Sequence, residues 1–179
     1  MTARTLSLAV AALLLVACGA PDQAGAAAPQ SQPAFPALTG RVVDQAELLS
    51  SGEETQLASE LEALERRTSD QLVVVTLSSL EGRTIEEYSL ALADHWGIGQ
   101  PDKDNGVLLV VVPSERVTRI EIGYGLGPIL TEERAREIVN RDLVPNFHVQ
   151  RWSEGIFAGA RAIVAILIER EREPRRGQP

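Results

Sequence analysis

Two uninterrupted aliphatic runs constrain this chain most: "QLVVVTL" at residues 71–77 and "GVLLVVV" at residues 106–112. A strand with one wet face alternates apolar with polar side chains, so runs without alternation mark strands covered on both faces. The segment after the second run behaves differently. In "VTRIEIG" (117–123), Thr118, Ile120 and Ile122 share one face, and Val117, Arg119 and Glu121 share the other. That pattern marks a half-exposed strand returning antiparallel through the tight "PSER" connection.

Helical segments separate these runs. "SSGEETQLASELEALERR" opens with Ser51 and Glu54 in capping-box spacing, and Leu57, Leu61 and Leu64 form its apolar stripe. "TIEEYSLALADHW" repeats the logic with Thr84 and Glu87, burying Ile85, Tyr88, Leu92 and Trp96. Thr131 caps a third helix with Glu132 and Glu133 in its positive first turn, and Pro145 marks its expected end. A fourth runs from about Ser153 with Ile156, Phe157, Ala160, Ile163, Val164 and Leu167 inward. With a short extended piece at residues 40–43, the order is strand, helix, strand, helix, strand, strand, helix, helix. Strand–helix–strand units call for right-handed parallel crossovers. The expected fold is therefore α/β: a three-layer α/β/α sandwich with a small mixed sheet of about four strands flanked by four helices.

The ends of the chain read differently from its middle. Residues 1–17 carry one positive charge, Arg4, and then an apolar run too short to span a bilayer, as a signal peptide does. The run ends "LVACG", and a small residue before the only cysteine resembles the lipobox of bacterial lipoproteins. Cys18 would then be the acylated amino terminus; an ordinary signal cleaved nearby is the alternative. With no second cysteine, a disulfide within the chain is excluded. Residues 18–34 are rich in Ala, Gln, Pro, Ser and Gly, the composition of a flexible tether. The domain is expected over residues 35–170, followed by a charged tail at 171–179. These features place the domain on the extracytoplasmic face of a bacterial envelope, held to the membrane through the lipid.

At 179 residues and 44% hydrophobic content the chain suits one domain. Residues 36–168 hold 12 lysines and arginines against 21 aspartates and glutamates, net −9. Nucleic-acid binding needs a basic face and is not expected; cations or basic partners suit this surface better.

Hairpin geometry places Asp104 and Asn105 of "DKDNG" beside residues 122–125, where "GYGLG" begins. Asp102, Asp104 and Asn105 offer the hard oxygen ligands that Ca²⁺ or Mg²⁺ prefers, and equally the residues that make Asx-turns. The EF-hand pattern fails, because the glycine comes one residue early and the twelfth position is Pro113. "GYGLGP" also fails as a dinucleotide fingerprint, its sixth position being Pro128. No nucleophile elbow, P-loop or H-E-x-x-H occurs. His95 and His148 read as packing or surface residues.

"FPALTGRVVDQAELLS", "WGIGQPDKDNGVLLVV", "RIEIGYGLGPILT" and "LVPNFHVQRWSEGI" together resemble the TPM domain family, in its order and spacing, over residues 35–168. That family includes a thylakoid-lumen phosphatase-like protein and many bacterial envelope proteins. The resemblance implies a divalent metal, commonly Ca²⁺, in an acidic cleft, with Mg²⁺ as the alternative. It adds Asp44 to Asp102, Asp104 and Asn105 as candidate ligands, with Glu121, Tyr124 and Asp142 as further cleft residues. Where the family usually carries an acid after "GYGL", this chain has Gly127. The implied function is an interaction module in assembly or quality control of envelope complexes, with an envelope protein as partner. The alternative is a metal-dependent acid phosphatase acting on phosphomonoesters. Phosphatase chemistry also needs a positioned nucleophile and donors for the developing charge, and no catalytic residue is identifiable.

Overall fold

A computed structural model describes residues 35–172, without the side chains of the last two. The expected signal peptide, Cys18 and the tether lie outside the described residues. The sheet comprises β1 (Val42–Asp44), β2 (Gln71–Thr76), β3 (Gly106–Val112) and β4 (Val117–Ile122), in spatial order β1-β2-β3-β4. The first three are parallel and β4 is antiparallel to β3. Helices α1 (Ser51–Thr68) and α2 (Ile85–Trp96) connect the parallel strands. After β4 come α3 (Glu132–Ile138), α4 (Val144–His148) and α5 (Trp152–Arg172).

Every residue of β3 is buried, so both faces of the sheet need a cover. On one face Leu72, Val74, Leu109, Val111 and Ile120 pack with Leu57, Leu61 and Leu64 of α1, Ile138 at the end of α3, and Ile156, Ala160, Ile163 and Leu167 of α5. On the other, Val73, Val75, Leu108 and Val110 pack with Tyr88 and Leu92 of α2. The result is the expected α/β/α sandwich. One expectation fails within it. Strands in sequential order joined by two right-handed crossovers would put α1 and α2 on the same face. They lie on opposite faces, so one of the two crossovers is left-handed, against a strong general preference. Covering both apolar faces of β2 and β3 outweighs that preference.

The helix ends explain two smaller differences. Ser50, not Ser51, caps α1: its Oγ accepts from the Glu53 amide while Glu53 Oε2 accepts from the Ser50 amide at 2.8 Å. Both serines fit S-x-x-E, and Glu53 is also held by the Ser153 hydroxyl at the start of α5. Helical backbone also continues past Pro145 to His148. A proline has no amide to give and crowds the carbonyl four residues back. The wide turn of residues 139–143 absorbs this, being π-helical. At the other end, α5 extends through Arg172 into the stretch expected to be tail.

Candidate functional site

Strands β2 and β3 begin side by side, and the loops before them meet there. At this amino edge Asn105 sits almost fully buried, 2% exposed. Its Oδ1 accepts from the Gln100 amide at 2.9 Å, and its Nδ2 donates to Ser69 O at 2.7 Å and Asp70 Oδ1 at 3.2 Å. The Asn105 carbonyl accepts from the Gln71 amide, which starts β2. Asn105 thus closes its own loop and fastens it to the end of α1. Asp70 is equally buried, and Arg170 of α5 reaches it at 3.5 Å. Burial pushes the Asp70 carboxyl above the usual carboxylate range, opposed by Asn105 and Arg170. Lys103 is exposed, with its Nζ donating to Ser69 Oγ at 3.2 Å.

The "GYGLG" segment closes over this loop as the hairpin register requires. Gly123 N donates to Gly106 O at 2.8 Å, and Gly125 N donates to Asp104 O at 3.1 Å. A Cβ on Gly123 would stand 2.2 Å from Asp104 O, and one on Gly125 would stand 1.8 Å from Lys103 O. Only glycine allows so close a backbone approach. Leu126 is buried, yet Tyr124 between the glycines is 94% exposed. The structure therefore brings Asp102, Asp104, Asn105 and Tyr124 to one rim. Asp102 and Asp104 face solvent; Asn105 is a buried cross-link beneath them.

The other expected residues are elsewhere. Asp44 ends β1 beside Thr76 at the opposite, carboxyl edge. Five residue steps of β2 separate the two edges, about 17 Å at ~3.3 Å per residue. Asp44 Oδ1 accepts from the Thr76 hydroxyl, and Oδ2 accepts from the Leu49 amide at 2.8 Å, tying down the turn into α1. Glu121 points to the α2 face, where Oε2 accepts from Ser89 Oγ at 2.9 Å and Arg119 Nε at 2.7 Å. Asp142 lies in the π turn, and its carboxylate takes both its hydrogen bonds from Arg141. Among the described residues no group of three or more His, Cys, Asp or Glu side chains is placed to hold a metal ion. An enclosed site shared by Asp44, Asp104 and Asn105 is therefore not formed. Two residues at the rim, Asp70 and Arg170, were not expected from the sequence. Asp70 directly precedes β2 as Asn105 precedes β3, so the parallel register was the signal that pairs them.

The TPM domain pattern matches residues 42–166, most of the 179-residue chain. The chain belongs to the TPM domain family. Among solved structures, it is similar to the N-terminal domain of a P. gingivalis protein, with 31% identity and a TM-score of 0.70. That match covers 78% of this chain and 89% of the other. An N-terminal domain from Corynebacterium glutamicum is 19% identical, with a TM-score of 0.58 and coverage of 83% and 89%. A protein from the psychrophilic bacterium Bizionia argentinensis is 17% identical, with a TM-score of 0.60 and coverage of 69% and 83%. The latter two speak for the fold alone. No curated protein matches the chain at a significant level. No helix among the described residues of this TPM domain is long and apolar enough to cross a membrane.

Proposed function

We propose that this TPM domain is a lipid-anchored interaction module on the extracytoplasmic face of the bacterial envelope. It docks a protein partner through its amino-edge rim, in assembly or quality control of envelope complexes. The observation that carries this reading is Tyr124: a large aromatic held 94% exposed on a turn clamped by two glycines. A fold gains nothing from an aromatic ring in water, whereas interfaces draw on tyrosines as anchors.

A divalent cation, Ca²⁺ before Mg²⁺, belongs to the same proposal in a reduced form. Asp44 and Asn105 have their side chains committed to internal hydrogen bonds. What fits is an ion on the surface, held by Asp102 and Asp104 with water completing its shell. Such a site is open and weak, of the class that binds at around millimolar concentration. The phosphatase reading ranks second, because the nearby cations that would stabilise a phosphoryl group, Lys103 and Arg170, are engaged by Ser69 and Asp70.

Calorimetric titration of the purified full chain with CaCl₂ tests both. The expected result is binding near millimolar that Asp104→Ala removes, with no hydrolysis of p-nitrophenyl phosphate. Absence of any divalent binding sinks the metal half. Phosphate release that Asp104→Ala abolishes without unfolding the chain would replace the module by the enzyme.

A further inference from the structure

We propose that Tyr124 anchors a docking site for an arginine-bearing segment of the partner, with Asp102 and Asp104 as its counter-charges. The proposal rests on reading the amino edge as a docking rim, and it names the chemistry of what docks.

Three observations converge on that chemistry. The Tyr124 side chain makes no hydrogen bond or ring contact among the described residues, so its face and hydroxyl are both available. Its backbone is already fixed, by the Gly125 amide on Asp104 O, the Gly123 amide on Gly106 O and the buried Leu126. Backbone order does not have to be imposed when a ligand arrives, only that of the side chains at the rim, which favours binding. Finally, the Asp102 and Asp104 carboxylates are exposed and have no cationic side-chain partner among the described residues. Gly125 stacks directly on the Lys103 and Asp104 carbonyls, so the turn that carries Tyr124 and the loop that carries the two carboxylates are in backbone contact.

A guanidinium suits that rim better than an ammonium. It is planar, lies flat on a tyrosine face, and still presents paired N–H donors sideways to a carboxylate. Charge complementarity extends beyond the contact, since residues 36–168 carry a net −9 and attract a basic segment from a distance. Leu38, Leu90 and Val149 are also exposed. They are single aliphatic residues on separate elements, as any soluble surface shows. Ca²⁺ and a guanidinium seek the same two carboxylates, so millimolar Ca²⁺ weakens docking.

Biolayer interferometry on the full chain in detergent, with a biotinylated tetra-arginine peptide as probe, tests the proposal. Tetra-lysine and tetra-aspartate serve as comparisons. Tetra-arginine is expected to bind more tightly than tetra-lysine, and tetra-aspartate not at all. Tyr124→Ala should weaken tetra-arginine about 3-fold, the worth of an exposed cation–π contact, while Tyr124→Phe stays within about 2-fold of the parent. The double change Asp102→Asn, Asp104→Asn should cost about 10-fold and flatten the salt dependence. Thermal melting establishes that each variant is folded. Equal binding by parent and folded Tyr124→Ala would overturn the anchor and leave charge attraction alone. A chain that binds Ca²⁺ but not tetra-arginine would overturn this proposal and spare the cation site; the converse result would do the reverse.

Discussion

Four polar residues are buried among the described ones: Asp70, Thr76, Ser89 and Asn105. Each is bonded to one of the candidate site residues, or is itself one. Thr76 holds Asp44, Ser89 holds Glu121, and Asp70 holds Asn105. A carboxylate at a strand end reads as a ligand when nothing local claims it. The claimants here lie 32, 32 and 35 residues away. Among the described residues Asp102, Asp104 and Tyr124 have no such claimant, and Asp142 is taken by its neighbour Arg141, which is why the rim, but not the enclosed site, was legible. Asp70 makes its own prediction. Its folded carboxyl titrates above the ordinary range, chiefly through burial. The folded state therefore takes up the proton more readily than the unfolded chain, and this contribution to stability is lost as pH rises through the folded pKa. Asp70→Asn removes the titration. The Tm of the variant minus that of the parent should thus be more positive at pH 7 than near the ordinary carboxylate value of 3.8, as thermal melts at the two pH values would show.

The elements were more legible than the sites, because their signals are short-ranged. Continuous aliphatic runs gave β2 and β3, alternation gave β4, and Thr84 with Glu87 gave the start of α2. What escaped depends on distant packing. Glu53 is drawn to Ser153, which selects Ser50 as the cap; Gly155 and Gly159 of α5 leave room for Phe147 and Leu143 of the run that carries on around Pro145. The handedness of the crossovers is likewise set by which face of the sheet remained bare. At this scale the clamp of one turn on another is testable. Gly125→Ala places a methyl 1.8 Å from Lys103 O, where backbone has to move. Urea denaturation should show a loss of about 1–3 kcal/mol, the ordinary cost of overpacking. Tetra-arginine binding should fall with it, because Tyr124 is no longer held in place.

Across the whole molecule the two edges of the sheet divide the work. The carboxyl edge is closed by Asp44 on Thr76 and by Glu115, whose Oε1 accepts from the Leu80 amide at 2.7 Å. The amino edge carries the open rim, and α2 ends there. On α2 the chain is strapped at its first described residues. The Phe35 ring meets Tyr88 edge-on at 5.2 Å and lies 5.1 Å from the His95 ring, while Trp96 Nε1 donates to Pro36 O at 2.9 Å. Phe35→Ala should cost about 1–2 kcal/mol, as aromatic pairs are worth ~0.5–1.5 kcal/mol each. It should also make residues 35–40 cleave faster in limited proteolysis; an unchanged cleavage rate would refute the strap.

That strap also decides how the domain answers tension. A pull arriving along the chain from before residue 35 loads two ring contacts and one hydrogen bond on α2 before it reaches β1. β1 has three residues and pairs with β2 alone, so it is the next element to peel. Under such a load the contacts of Phe35 and Pro36 on α2 would part first and the three-residue β1 next, with β2, β3, β4 and the rim still paired.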